Sequence, residues 1–206
     1  VTATISVTPH YTTVLVICDG PVKTFTITVN PSAQVTLPVI QALCNGELTA
    51  QVTFATTNTG GLTTYSWINS STGIGLSASG VGDISSFTAS NVTSAPIVAT
   101  ITVTPHFNNG SVTCNGPGQI FTITVNPTAH VNIPANQVIC AGGSTTNVIF
   151  GTTNTGGAMI YNWLNDNTAI GLAASGSGDI LSFVGTNLTN APISGTISVI
   201  PTFTNG

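Results

Sequence analysis

Phe25 to Pro31 reads FTITVNP, and Phe121 to Pro127 reads FTITVNP again without a change. In the second copy Phe121, Ile123 and Val125 alternate with Thr122, Thr124 and Asn126. Side chains of a strand point to opposite faces in turn, so this pattern describes a strand with one face buried and one in water. The terminal proline closes it, because proline has no donor for a ladder and biases the preceding asparagine toward extended backbone.

Working outward from the heptapeptide, a shift of 96 positions lays the chain on itself without a gap. Thr4 to His10 (TISVTPH) meets Thr100 to His106 (TITVTPH), Cys18 meets Cys114 and Cys44 meets Cys140. Thr56 to Gly61 (TTNTGG) recurs at 152–157, Tyr65-Ser66-Trp67 answers Tyr161-Asn162-Trp163, and Gly82-Asp83-Ile84 answers Gly178-Asp179-Ile180. About 60 of the 110 overlapping pairs are identical, and a period this long fits whole domains rather than solenoid turns. The expected organisation is residues 1–32 as the C-terminal strands of one repeat, 33–128 as a complete repeat, and 129–206 as a repeat lacking its last strand. Such a chain reads as a window on a longer array, stiffly coupled because its linkers are short and hold no Gly/Ser spacer.

Within the complete repeat, alternation and β-branched residues predict strands near 35–43, 49–57, 63–69, 73–78, 84–89, 97–104 and 119–126, and no helical period emerges. Seven or so short strands with a Tyr-x-Trp on the third describe an all-β fold of tandem immunoglobulin-like β-sandwich domains. The predicted core consists of Phe54, Tyr65, Trp67, Phe87 and Phe121, repeated as Phe150, Tyr161, Trp163 and Phe183.

Composition narrows function. Hydrophobic residues make up 41% of the chain and charged ones 3%, with a net charge of −4 and one basic residue, Lys23. Nucleic acid is excluded as a partner, since phosphate binding draws on several Lys or Arg contacts. The longest apolar run, Val14 to Cys18, is far short of the roughly 20 residues of a spanning helix, so no membrane insertion of this segment is expected. No basic stretch followed by an apolar core opens the sequence, which places any export signal upstream.

Few side chains are suited to chemistry. Asp83 and Asp179 sit in Gly-x-Gly-Asp-Ile, but one carboxylate per repeat is too few for calcium, and a turn aspartate bonding nearby backbone is the expected role. His10 and His106 share a position that holds Thr202 in the third copy, and no serine carries a motif supplying histidine and carboxylate partners. The reading is therefore no enzyme, no cofactor and no metal site. Lys23 is replaced by Gln119 in the next copy, which removes a repeated Lys-based isopeptide cross-link. Four N-x-S/T triplets, at Asn69, Asn91, Asn109 and Asn187, are expected by chance in so Asn- and Thr-rich a chain. The outward threonine rows (Thr26/Thr28, Thr100/Thr102/Thr104, Thr122/Thr124) suit the wet face of an uncharged sheet.

The four cysteines suit disulfides in an exterior setting. One connectivity joins Cys44 to Cys114 within a repeat and leaves Cys18 and Cys140 to pair outside the chain; the other joins Cys18 to Cys44 and Cys114 to Cys140. Loop entropy gives about 4.4 kcal/mol for the first and about 3.5 for each bond of the second, too close to decide. Separation of the Cys18 loop from Cys44 by a strand and a junction favours the first.

Together, Cys-x-Gly at 44–46 and 140–142, Tyr-x-Trp, the Ile74 to Phe87 stretch (IGLSASGVGDISSF) with its copy at Ile170 to Phe183, Asn-x-Thr-x-Ala-Pro at 91–96, Cys-x-Gly-Pro at 114–117 and FTITVNP carry a resemblance. The chain resembles the PKD-like repeat domains of Bacteroidota cell-surface proteins, most of all those of the long flavobacterial gliding-motility adhesin. The resemblance implies an extracellular location at the bacterial surface, type IX secretion, and service as a filament stalk in surface attachment and gliding. Its implied partners are neighbouring repeats, surface polysaccharide or other adhesin filaments. The competing expectation is a weak, multivalent carbohydrate-binding module or an accessory domain of a secreted enzyme.

Overall fold

Runs of threonine and β-branched residues favour extended backbone, and nearly every such run pairs with another. The computed structural model describes residues 1–110 and 112–205. Its strands are β1 (Thr2–Val7), β2 (His10–Thr12), β3 (Ile17–Asp19), β4 (Lys23–Thr28), β5 (Gln41–Cys44), β6 (Leu62–Asn69), β7 (Ser79–Val81), β8 (Ile97–Asn108), β9 (Thr113–Asn115), β10 (Gln119–Asn126), β11 (Ala158–Asn165), β12 (Ser175–Ser177) and β13 (Ile197–Thr204). Single 3-10 turns at Thr72–Ile74 and Thr168–Ile170 are the only helical elements among the described residues, so the protein is all-β.

The largest sheet runs β5-β10-β8-β6-β7, with β9 beside the far end of β8. β10 is central to it: antiparallel to β8 with Phe121 opposite Ile101, and parallel to β5 with Asn126 opposite Cys44. β8 alternates strictly, burying Ala99, Ile101, Val103, Pro105 and Phe107. Pro105 is tolerated inside this strand because its missing donor falls at the gap between β10, which pairs as far as Val103, and β9, which begins opposite His106. The Gly116 N–H bonds the Pro105 carbonyl across that gap. Smaller sheets pair β1 with β4, β2 with β3, and β11 with both β12 and β13.

Opposite the large sheet, the expected strands over 49–57 and 84–89 are extended segments joined by isolated bridges, Leu48 to Thr88 and Val52 to Ile84. Side chains replace the missing ladder there. Gln41 gives its amide to the Ala50 carbonyl and accepts from the Ala50 N–H, while the Thr49 hydroxyl accepts from the Phe87 N–H. The expected strand at 73–78 is instead the 3-10 turn, ended by Gly75 at φ 92°.

Between the two layers lies one contiguous cluster that includes Val52, Phe54, Tyr65, Trp67, Ile74, Ile84, Ile101, Phe121 and Ile123. The Phe54 ring lies 5.3 Å from that of Tyr65 and 6.2 Å from that of Phe121, while Phe87 is partly buried at the margin. Burial lifts the Tyr65 phenol above its ordinary value; the Asp83 carboxylate acts the same way, and a hydrogen bond with Thr56 opposes both. In residues 129–204 a smaller cluster buries Phe150, Trp163, Leu172 and Ile180, with Tyr161 and Phe183 only partly covered.

Glycine makes room for each tryptophan. A Cβ on Gly80 would fall within the indole of Trp67, and one on Gly176 within that of Trp163. Gly82 differs, since it faces open space and is fixed only by its φ of 67°.

Four outcomes follow, each read by equilibrium denaturation. Trp67→Ala destabilises by about 3 to 5 kcal/mol. Gly80→Ala costs about 1 to 3 kcal/mol through overpacking, whereas Gly82→Ala costs about 1 through backbone strain alone. Because the folded state holds Tyr65 neutral, stability is intact below the ordinary tyrosine range and falls as pH rises past about 10, and Tyr65→Phe makes that fall shallower.

Candidate functional site

The cysteines take positions that spacing alone could not reveal. Cys44 ends β5 opposite Asn126, at the Ile97 end of β8, while Cys114 in β9 lies opposite Phe107 at the other end. Ten residues of strand, about 33 Å, separate those levels, and a disulfide tolerates no more than about 7 Å between Cα atoms. The expected Cys44–Cys114 bond is therefore corrected: the two belong to opposite ends of one sheet. In this structure none of Cys18, Cys44, Cys114 and Cys140 is bonded to another, the alternative pairs Cys18 with Cys44 and Cys114 with Cys140 included. What the Cys-x-Gly motif builds is a turn. Gly46 and Gly142 take φ of 89° and 82°, and the Cys44 N–H donates to Glu47 Oε2 at 2.7 Å.

Asp83 and Asp179 act as struts. Each accepts a backbone N–H from the facing layer, Phe54 at 2.9 Å and Phe150 at 2.9 Å. Asn91 is a buried lock rather than a modification site. Its amide donates to the Ala95 and Val125 carbonyls and its oxygen accepts from the Thr93 N–H and hydroxyl, which accounts for the Asn-x-Thr-x-Ala-Pro motif. Asn69 likewise donates to the Ser71 and Leu76 carbonyls. The triplet at Asn109 includes Ser111, which lies outside the described residues.

One constellation was not legible in sequence. Ser66 on β6, His106 on β8 and Asn115 on β9 form a chain, with Ser66 Oγ 2.8 Å from His106 Nε2 and His106 Nδ1 2.7 Å from Asn115 Oδ1. An amide oxygen only accepts, so Nδ1 carries the proton and Nε2 accepts from the serine hydroxyl. The connectivity is that of a nucleophile, a base and an orienting group. Ser66, however, sits mid-strand between Thr104 and Val81, and its backbone N–H belongs to the sheet rather than to a pocket that could hold an oxyanion. What the chain does structurally is tie three strands together. At the equivalent place in the first segment His10 meets Asp19, and in the last Thr202 replaces the histidine.

Two surface depressions adjoin these residues. Ser66, Ile68, Ser79, Val81, Thr102 and Thr104 line a shallow groove on the outer face of the large sheet. A second, lined by Asn45, Asn91, Thr93, Ser94, Thr128, His130 and Asn154 among others, lies where residues 129–204 meet the preceding segment. The Thr155 N–H reaches the Ser94 carbonyl there at 2.8 Å, and the Asn45 amide reaches Thr128 Oγ1. Its lining offers amides, hydroxyls and the His130 imidazole, with no Phe, Tyr or Trp ring and no carboxylate. Among the described residues no three His, Cys, Asp or Glu side chains come together as a metal set, and no helix is long and apolar enough to cross a membrane. No family model matches the chain, and no curated protein is significantly similar to it.

Proposed function

We propose that the chain is a stalk segment of a bacterial cell-surface adhesin filament, built of tandem immunoglobulin-like sandwiches and serving attachment and gliding as a spacer. The observation that carries this reading is the recurrence of one geometry at an offset of 96 residues. Trp67 lies opposite Gly80 and Val103, and Trp163 lies opposite Gly176 and Val199. The order β5-β10-β8-β6-β7, with Tyr65-x-Trp67 on β6, supports the immunoglobulin-like assignment. Export, the type IX route and the gliding context rest on the resemblance of the repeated motifs.

Physical features support a spacer. The segments are joined by backbone and amide bonds at short linkers: Thr155 to Ser94 on one side of the central segment and Asn109 to Asn30, 2.6 Å apart, on the other. The twelve residues of β8 reach about 40 Å, which sets the length each copy would add to the filament.

Small-angle scattering on this chain and on chains extended or shortened by one 96-residue copy tests the proposal. The expected result is a maximum dimension that changes by about 40 Å per copy. A compact particle whose length does not track copy number overturns the spacer. Saturable binding on a glycan array by the same chain would transfer the function to the carbohydrate-binding alternative, with the Asn- and Thr-lined crevice as the place to mutate.

A further inference from the structure

The outer face of the large sheet has no charge. Strands β5 to β10 hold no Asp, Glu, Lys or Arg, whereas charged residues ordinarily make up about a quarter to a third of a soluble surface. The core takes one side of this sheet, and the register shows what stands on the other. Thr102 lies between Ile120 of β10 and Ile68 of β6, and in the next row Thr104 lies beside Ser66, which lies beside Val81 of β7. Ile120, Ile68 and Val81 are 57%, 60% and 81% exposed, and Val98 on the same face is 55% exposed. The threonine rows expected to face water thus surround an apolar patch.

The same face recurs at the 96-residue offset. On β11 and β13, Leu164 lies opposite Ser198, Asn162 opposite Ile200 and Ile160 opposite Thr202, again without a charged residue. Ile160, Leu164 and Ile200 are 46%, 53% and 56% exposed. In both segments these side chains point away from the core, perpendicular to the sheet, so their exposure does not depend on what pairs at its edges.

We propose that this outer face is a self-association surface, on which two copies of the chain pack sheet against sheet. The chemistry selects the occupant. An acidic or phosphate-bearing partner requires cations, which the face lacks. A small ligand takes a concave seat, and this is an open sheet face with one shallow groove. A second copy brings the same methyl and hydroxyl surface, and burying it strands no charge. Twisted sheets stack in this way at about 10 Å, as the two layers of a sandwich do.

The area is sufficient. Strands β6, β8 and β10, each of eight residues or more, with the shorter β5 and β7 beside them, present about 500 Å² at about 4.8 Å between strands and 3.3 Å per residue. Two such faces bury about 1,000 Å², the lower bound for a specific interface. One pair of faces therefore binds weakly, and repetition along the chain multiplies the effect. A single patch meeting itself is an isologous contact about a two-fold axis, which runs beside Thr102 because that residue is central to the patch. This inference stands apart from the stalk assignment: it concerns the side of each segment, and scattering length along the chain would be unaffected by its failure.

Sedimentation velocity on the 206-residue chain over a range of concentrations tests it. The parent is expected to show an average mass that rises reversibly toward that of a dimer. Thr102→Lys combined with Ser198→Lys should stay monomeric, and so should Thr102→Glu combined with Ser198→Glu, the two positions being equivalent in the two segments. Mixed in equal amounts, these double variants should associate again at a concentration where each alone does not. Leu48→Lys places the same charge on the facing layer, where Leu48 is 71% exposed, and should associate as the parent does. All four positions of the test point to solvent or lie on the surface, so circular dichroism of each variant should match the parent. A parent that is monomeric at every concentration overturns the proposal. So does association that survives both double variants, a mixture that stays monomeric, or an equal loss in Leu48→Lys.

Discussion

Everything in the central segment depends on one strand having partners along both edges and on one face at once. β10 contributes the middle ladder of the large sheet and three of its buried side chains, and the chain shows what each part is without the others. Residues 1–28 hold the ribbon β1-β4 with no facing layer, and every residue of both strands is exposed. Residues 129–204 hold the facing layer and β11 to β13 without a closing strand, and the buried cluster shrinks to Phe150, Trp163, Leu172 and Ile180. Only residues 33–126 join the two, and there Ile101, Val103, Ile123 and Val125 reach zero exposure. A two-layer β architecture is cooperative in this sense: neither sheet has a core until the other covers it.

Nearly without charge, the chain satisfies its backbone by other means. Asparagine takes the place of the ladder at several of the breaks, and it does so at matched positions. Asn58 accepts the Gln34 N–H and Asn154 that of His130, each at 2.7 Å. Asn69 and Asn165 fold over the loops that follow them, reaching the Leu76 and Leu172 carbonyls. A side-chain amide offers a donor pair and an acceptor together, so it can stand in for a missing piece of ladder where a lysine or glutamate could not. Asparagine richness thus reflects unpaired backbone inside an irregular layer.

How much of this was legible in the sequence varied with the kind of signal. Period-two alternation located β6, β8 and β10 and the aromatic residues between the layers, because burial on one face of a strand writes itself directly into residue choice. It overcalled the facing layer, where Val52, Phe54 and Ile84 alternate as strand residues do, yet Val52 and Ile84 meet in an isolated bridge while the N–H groups of Ala50, Phe54 and Phe87 go to the side chains of Gln41, Asp83 and Thr49. It also missed the turn at Thr72–Ile74, where Gly75 and not the apolar pattern decides the path. The cysteines failed for another reason: a spacing of 70 residues says nothing about which end of a sheet each occupies, and only the register shows Cys44 and Cys114 far apart. Ser66, His106 and Asn115 met unannounced, since their proximity is a product of strand order.

The glycines explain why the motif around the tryptophan is so tightly specified. A β-sandwich accepts many apolar combinations so long as volume is kept, but an indole laid across a neighbouring strand leaves no space for a Cβ beneath it. That couples Trp67 to Gly80 and Trp163 to Gly176 as single units of packing, each pair being one large and one empty position on adjacent strands. Gly82 and Gly178 then turn the chain at φ of 67° and 72°, so that Asp83 and Asp179 face the opposite layer. The Ser-Gly-x-Gly-Asp-Ile run is one device in three steps: it clears the indole, reverses the chain, and pins the second layer by a carboxylate to the Phe54 or Phe150 amide. Because every step is local, the device works in residues 129–204 even where the closing strand is missing, and this is why the tryptophan side of that segment keeps its core while the opposite edge opens.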